Sequence, residues 1–279
     1  MMLRVLLLTL TLFSGLAQAG VVLQRPIELD TGNGQLFGSL LLPKSDQPVP
    51  VVLIVAGSGP TDLAATPDER NLSVDAYVAD TVAWGEKLKT DPRLGPLILL
   101  GHSEGALIAT LAAPKLQAAG VISLSGSGRP VDQVLRQQLG KRLPPALMLR
   151  SNELLDSLKA GRQDNAIPPP LEPIFRPSVQ PYLISLFRQD PAAAFSRLRM
   201  PALIVQGRND IQVSVDDAKA LKAAKPDAQL VIIDGMNHIL RIVPDDIPQQ
   251  LASYNNPQLP LAAALEQPIT RFIDGLARH

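Results

Sequence analysis

The sequence predicts an α/β fold built on a mostly parallel sheet, with a helical, proline-rich insertion near its middle. Three observations carry that expectation. Short apolar, β-branched runs recur along the chain, helical patterns fall between them, and each run stops at glycine or a polar turn. In chain order, IELDTGNGQLFGSLLLP (residues 27–43) reads as two extended runs joined through Gly32-Asn33-Gly34, the turn chemistry of a hairpin. VVLIVA (51–56) looks like a strand buried on both faces, closed by Gly57-Ser58-Gly59-Pro60. Residues 97–100, 121–125, 202–206 and 229–234 repeat that pattern. The intervening helices are expected over 74–89, over 104–119 with a stop at Gly120, and over 215–224, where Ser214 is a plausible N-cap with Asp217 three residues on. The amphipathic stretch 261–276 should pack on one face of the sheet.

Residues 128–195 break this rhythm. They hold no buried-strand run, read as short helices (131–139 and 146–160), and carry Pro144, Pro145, Pro168, Pro169, Pro170, Pro173, Pro177, Pro181 and Pro191. A cap over the carboxyl edge of the sheet, where open α/β folds bind ligands, fits that composition; a structural excursion without substrate contact is the alternative.

Composition narrows the function. The 279 residues are 46% hydrophobic and 19% charged, ordinary for a packed globular chain, and 26 basic against 26 acidic residues give no electrostatic footprint for nucleic acid. With no cysteine in the chain, disulfides and thiol catalysis are excluded. At the start, Arg4 precedes an apolar stretch of about a dozen residues, shorter than the roughly 20 needed to span a bilayer. Ala17-Gln18-Ala19 then precedes Gly20, so residues 1–19 read as a signal peptide cleaved after Ala19. The expected product is a secreted or periplasmic domain, 20–279, without a membrane anchor and of undetermined oligomeric state.

Gly101-His102-Ser103-Glu104-Gly105 sets a serine between an expected strand and an expected helix. That context forces the central residue into a strained turn and projects its side chain clear of both elements, with the flanking glycines leaving room for the crossing. Ser103 is therefore the candidate nucleophile, and it needs a base. Only His102, His238 and His279 are available; His102 sits inside the turn and should point elsewhere, and His279 is expected to fray, which leaves His238 in DGMNHIL. The acid that orients the base is expected to be Asp210, just past the 202–206 strand. Asp216 and Asp217 read as charges opening a helix and Asp234 as too close to His238 in sequence. An oxyanion hole would draw on the backbone N–H of Glu104 and of Ser58. The Glu104 side chain reads as a helix-dipole partner, and GSG lacks the lysine of a phosphate-cradling loop.

From about Ile27 to the C-terminus the chain resembles bacterial α/β-hydrolases of the GHSEG type, related to serine esterases and to serine-aminopeptidase-like hydrolases. The resemblance rests on LFGSLLLP, VAGSGPTD, LLGHSEGALIA, the GRND turn and GMNH. It implies an eight-stranded type of sheet and hydrolysis of a small carboxylic ester through an acyl-enzyme, without metal or cofactor. A peptidase or thioesterase with the same three residues is an alternative, as is a shortened, inactive relative that binds a ligand or partner. One departure stands out. Relatives of this kind carry a further helix and buried strand after the GSGP loop, whereas here a polar bridge of about a dozen residues reaches the next helix and a β-α-β unit takes roughly 30. That strand belongs between the second and third. Without it the sheet should close up, gape or be completed by another chain, with two apolar edges meeting water.

Overall fold

The computed structural model describes residues 22–31, 35–57 and 69–277. The expected leader and its cleavage point, the turn Gly32-Asn33-Gly34, Ser58 and His279 lie outside the described residues. The chain opens on an antiparallel pair, β1 (Val22–Asp30) and β2 (Gln35–Pro43), in continuous register from Val22 opposite Pro43 to Asp30 opposite Gln35. Next come β3 (Val49–Val55), α1 (Val74–Lys89), β4 (Leu94–His102), α2 (Glu104–Leu116) and β5 (Gly120–Leu124). The insertion supplies α3 (Val131–Gly140), α4 (Pro145–Lys159), α5 (Glu172–Phe175), α6 (Gln180–Phe187) and α7 (Pro191–Ser196). The chain then completes β6 (Ala202–Gly207), α8 (Val215–Ala224), β7 (Gln229–Ile233), α9 (Ile247–Ser253) and α10 (Glu266–Ala277).

Strands β3 to β7 pair in sequence order, all parallel. Successive side chains of a strand face opposite ways, so the sheet divides its apolar residues between two cores. Leu97, Leu99, Ala202 and Ile204 join one core with residues of α1, α2 and α8; Ile98, Leu100, Leu203 and Val205 join the other with Leu265 and Phe272 of the C-terminal segment. Each crossover advances one strand in the same direction, and right-handed crossovers then stack α1, α2 and α8 on one face and leave the other to α10. Ile98, Leu99, Ile122 and Leu203 have no exposed surface, and each such side chain contributes about 1.5–3 kcal/mol of burial.

Three expectations need correction. β3 is not buried on both faces: it is an edge strand, and Ile54 is 68% exposed. The implied eight-stranded type of sheet is, among the described residues, five parallel strands plus a separate β1-β2 pair, so the gap has not closed. The short bridge after β3 has no room for a helix and a strand, and the hairpin packs on α1 instead, with Gly38 against the Trp84 ring. Finally, α2 stops at Leu116, where Gln117 takes a left-handed conformation (φ 48°) and donates to the Ala113 carbonyl; Gly120 opens β5, where a Cβ would lie 2.5 Å from Leu276.

The prolines of the insertion make physical sense at helix starts. Pro145 opens α4, Pro173 and Pro181 sit in the first turns of α5 and α6, and Pro191 opens α7, positions where a missing N–H costs nothing. The insertion is not a detached lid. Leu154, Leu158, Leu171, Phe175 and Phe195 are fully buried in the same core as α1 and α2. Polar ties join it to the body as well: Glu69 accepts from Arg176 Nε (3.0 Å) and Ser178 Oγ (2.7 Å), and Ser185 Oγ accepts from the Val74 N–H (3.0 Å).

Candidate active site

The strand-to-helix turn after β4 has the geometry its sequence demands. Ser103 adopts φ 55° and ψ −121°, a left-handed conformation strained for a residue with a side chain. Its N–H donates to the Leu124 carbonyl (2.8 Å), which ties the turn to the end of β5. The flanking glycines are obligatory: a Cβ on Gly101 would stand 2.1 Å from the Gly105 carbonyl oxygen, and one on Gly105 would stand 2.2 Å from that of Val55. Gly57, two residues past the end of β3, passes so close that a Cβ there would lie 2.9 Å from that of Ser103.

Ser103, His238 and Asp210 come together at the carboxyl rim of the sheet, from the turns that follow β4, β7 and β6. The Ser103 Oγ lies 2.9 Å from His238 Nε2, and His238 Nδ1 lies 2.8 Å from Asp210 Oδ2. An ionised carboxylate only accepts, so the proton of the neutral imidazole is assigned to Nδ1, which leaves Nε2 to accept from the serine hydroxyl. Both partners are shielded from water, with side-chain exposures of 5% for His238 and 0% for Asp210. The carboxylate is held on its other oxygen by the N–H groups of Gln212 (2.8 Å) and Val213 (2.9 Å). Backbone stitches keep the two loops in register: Arg208 N–H to the Ile233 carbonyl (3.0 Å), Asn209 N–H to that of Met236 (3.0 Å), and Asn209 Nδ2 to that of Val243 (2.8 Å).

The comparisons with known proteins agree with this architecture. A profile described as "Alpha/beta hydrolase family" matches residues 30–253. The chain belongs to the alpha/beta hydrolase family. A curated relative, Esterase EstD of Thermotoga maritima, is 27% identical over 246 residues, which cover 75% of this chain and 59% of the relative. This alpha/beta hydrolase thus spans less than two thirds of that relative's length. Among solved structures it is similar in fold to the alpha/beta hydrolase GrgF from Penicillium sp. sh18, with TM-score 0.56, 18% identity, and 92% of this chain and 98% of that one covered. Est1E from Butyrivibrio proteoclasticus superposes with TM-score 0.53 at 16% identity, over 76% of this chain and 90% of its own.

The rival carboxylates are accounted for elsewhere. Asp234 is 82% exposed and pairs with Arg208, and Asp216 is 83% exposed and pairs with Lys219. Asp217 is no ordinary helix-opening charge. It completes a capping box with Ser214 and is fully buried against Arg129 of the insertion. Among the described residues no cluster of three or more histidine, cysteine or carboxylate side chains could hold a metal.

The partners of His102 and Glu104 escaped the sequence reading, and Gln206 escaped it altogether. His102 does not point away: its Nε2 lies 2.8 Å from the His238 carbonyl oxygen, and because that oxygen only accepts, Nε2 carries the proton. Burial pushes the His102 imidazole below its ordinary pKa, partly offset by this hydrogen bond. The Glu104 carboxylate is more than a dipole partner, since it accepts from the Tyr182 hydroxyl of α6 and binds the insertion to the first residue of α2. Burial and the Glu104 charge push the Tyr182 phenol up, which keeps it a donor. Gln206, inside β6, contacts Asp210. The sequence carries no signal for these partners; the packed sheet ends and, for Glu104, the placement of α6 against α2 bring them together.

Proposed function

We propose that the protein is a serine hydrolase of carboxylic esters. The observation that carries this reading is the continuous hydrogen-bond chain from the strained Ser103 through His238 to Asp210, and the relation to an esterase supports ester as the substrate class. His238 Nε2 takes the Ser103 proton as Oγ attacks the ester carbonyl carbon, and Asp210 stabilises the imidazolium that forms. The N–H of Glu104, at the head of α2, together with the N–H expected of Ser58, would receive the oxyanion; the close approach of Gly57 to Ser103 supports this reading. Collapse expels the alcohol with the proton from His238. Water then attacks the acyl-serine as His238 takes its proton, and collapse releases the acid while His238 returns that proton to Ser103 Oγ.

Short acyl esters, thioesters and aminoacyl amides, assayed side by side with a fluorophosphonate probe, test the proposal. Ester turnover should dominate, and Ser103→Ala should abolish labelling and lower kcat by at least about 1,000-fold. Labelling that persists in Ser103→Ala would remove Ser103 from the reaction; faster cleavage of amides or thioesters would overturn the ester assignment. We also propose export with cleavage after Ala19, which N-terminal sequencing of the secreted protein checks; a chain that retains Met1 refutes it.

A further inference from the structure

The most telling polar group outside the three central residues is an amide where an apolar side chain would pack more cheaply. Gln206 occupies the interior of β6 in the run ALIVQG and has no exposed surface. Its Nε2 lies 3.0 Å from Asp210 Oδ2, 3.0 Å from the Val213 carbonyl oxygen and 3.3 Å from that of Gly207, so a single NH₂ group holds three points of the turn that carries Asp210. The opposite end, Oε1, is buried and has no hydrogen-bond partner among the described residues. The amide cannot be reversed. Turned around, Oε1 would face a carboxylate and two carbonyls, all acceptors.

An orphaned buried carbonyl is unfavourable, and a leucine or methionine would avoid it. What the amide gains in exchange is a charge-assisted hydrogen bond to the same carboxylate oxygen that receives the His238 Nδ1–H. We infer that Gln206 is a positioning residue: it fixes the rotation of the Asp210 carboxylate so that Oδ2 stays aimed at the His238 imidazole. The inference rests on the hydrolase reading above and extends it beyond the three central residues. Gln212 and Val213 hold Oδ1 from one side only, so without Gln206 the carboxylate pivots about that oxygen, and the imidazolium formed in the reaction loses its aligned counter-charge.

The test compares wild type, Gln206→Leu and Gln206→Glu for ester kcat and KM, fluorophosphonate labelling rate, melting temperature and the pH profile of kcat/KM. Gln206→Leu should lower kcat and the labelling rate by roughly 10- to 100-fold, the worth of a hydrogen bond to a charged group. KM should stay unchanged, while the melting temperature falls modestly, because the buried Val213 carbonyl and Asp210 Oδ2 lose their donor even as the orphaned Oε1 goes with the amide. Gln206→Glu supplies a donor only while protonated and repels Asp210 once ionised, so its activity relative to wild type should climb as pH falls. A merely structural role would instead lower the melting temperature while kcat stays at its wild-type value and the Gln206→Glu ratio does not change with pH. Wild-type kcat in Gln206→Leu, or a pH-independent ratio for Gln206→Glu, overturns the inference while the hydrolase stands. A wild-type protein inert to both ester and probe ends the hydrolase reading and takes this inference with it.

Discussion

Replacing Arg129 with methionine should cost about 3 kcal/mol near pH 8, and the cost should fade in acid. Arg129 donates through Nε to Asp217 Oδ1 (2.8 Å) and through Nη2 to Oδ2 (2.7 Å), and the carboxylate also receives Ser214 N–H (3.1 Å) and Oγ (2.8 Å). Removing one partner of a buried pair typically costs about 3–5 kcal/mol. The low end applies because the Arg129 side chain is 34% exposed although that of Asp217 is at 0%. For a domain of this size such a loss lowers Tm by about 6–12 °C. Burial alone would push the Asp217 carboxyl up; the hydrogen bonds from Arg129 and Ser214 and the Arg129 charge outweigh it and hold the group below its ordinary 3.8. A carboxyl depressed in the folded state stabilises fully above its unfolded value and loses that contribution as pH falls through the folded one. Urea unfolding at pH 8 and well below pH 3.8 should therefore show a large gap between wild type and Arg129→Met that shrinks in acid. The double variant Arg129→Met/Asp217→Asn should recover more than half the loss. A gap under about 1 kcal/mol at pH 8, or one that does not change with pH, would refute the argument.

Other expectations follow from the same contacts. His102 has an imidazole pushed down from 6.5 by burial, so its protonation favours the unfolded chain; stability should drop as pH falls below 6.5, and His102→Gln, which keeps a donor for the His238 carbonyl, should flatten that drop in pH-dependent melts. Gly105→Ala would bring its Cβ to 2.2 Å from the Val55 carbonyl oxygen, so the variant should lose ester turnover and fluorophosphonate labelling; wild-type labelling would mean that the turn has room to relax. Ile54→Lys places a charge on the open edge strand β3 and should lower self-association in light scattering without changing kcat; equal scattering would show that this edge is already protected.

The residues alone are enough to read where the parallel strands run, though not that β3 is an edge, and to propose an order for the chemistry. Runs such as LILL and ALIV read as buried strands because both faces of a parallel strand are covered, and Ser103 was legible because a G-x-S-x-G between strand and helix has few backbone solutions. Elimination pointed to His238 as the candidate base, since a chain with three histidines offers little choice, and the structure sets its Nε2 2.9 Å from Ser103 Oγ. Even the lost helix-strand unit was legible, from nothing more than the length of the bridge after the third strand. Tertiary structure alone decided how that loss is absorbed: β3 becomes an edge, the hairpin moves onto Trp84 of α1, and the insertion binds the start of α1 through Glu69 and Ser185. It also decided the partners of His102, Glu104 and Gln206. Those contacts join residues 136, 78 and 4 positions apart, with one group in each pair supplied by a turn or helix whose placement depends on the packed sheet, and local sequence pattern carries no record of such meetings.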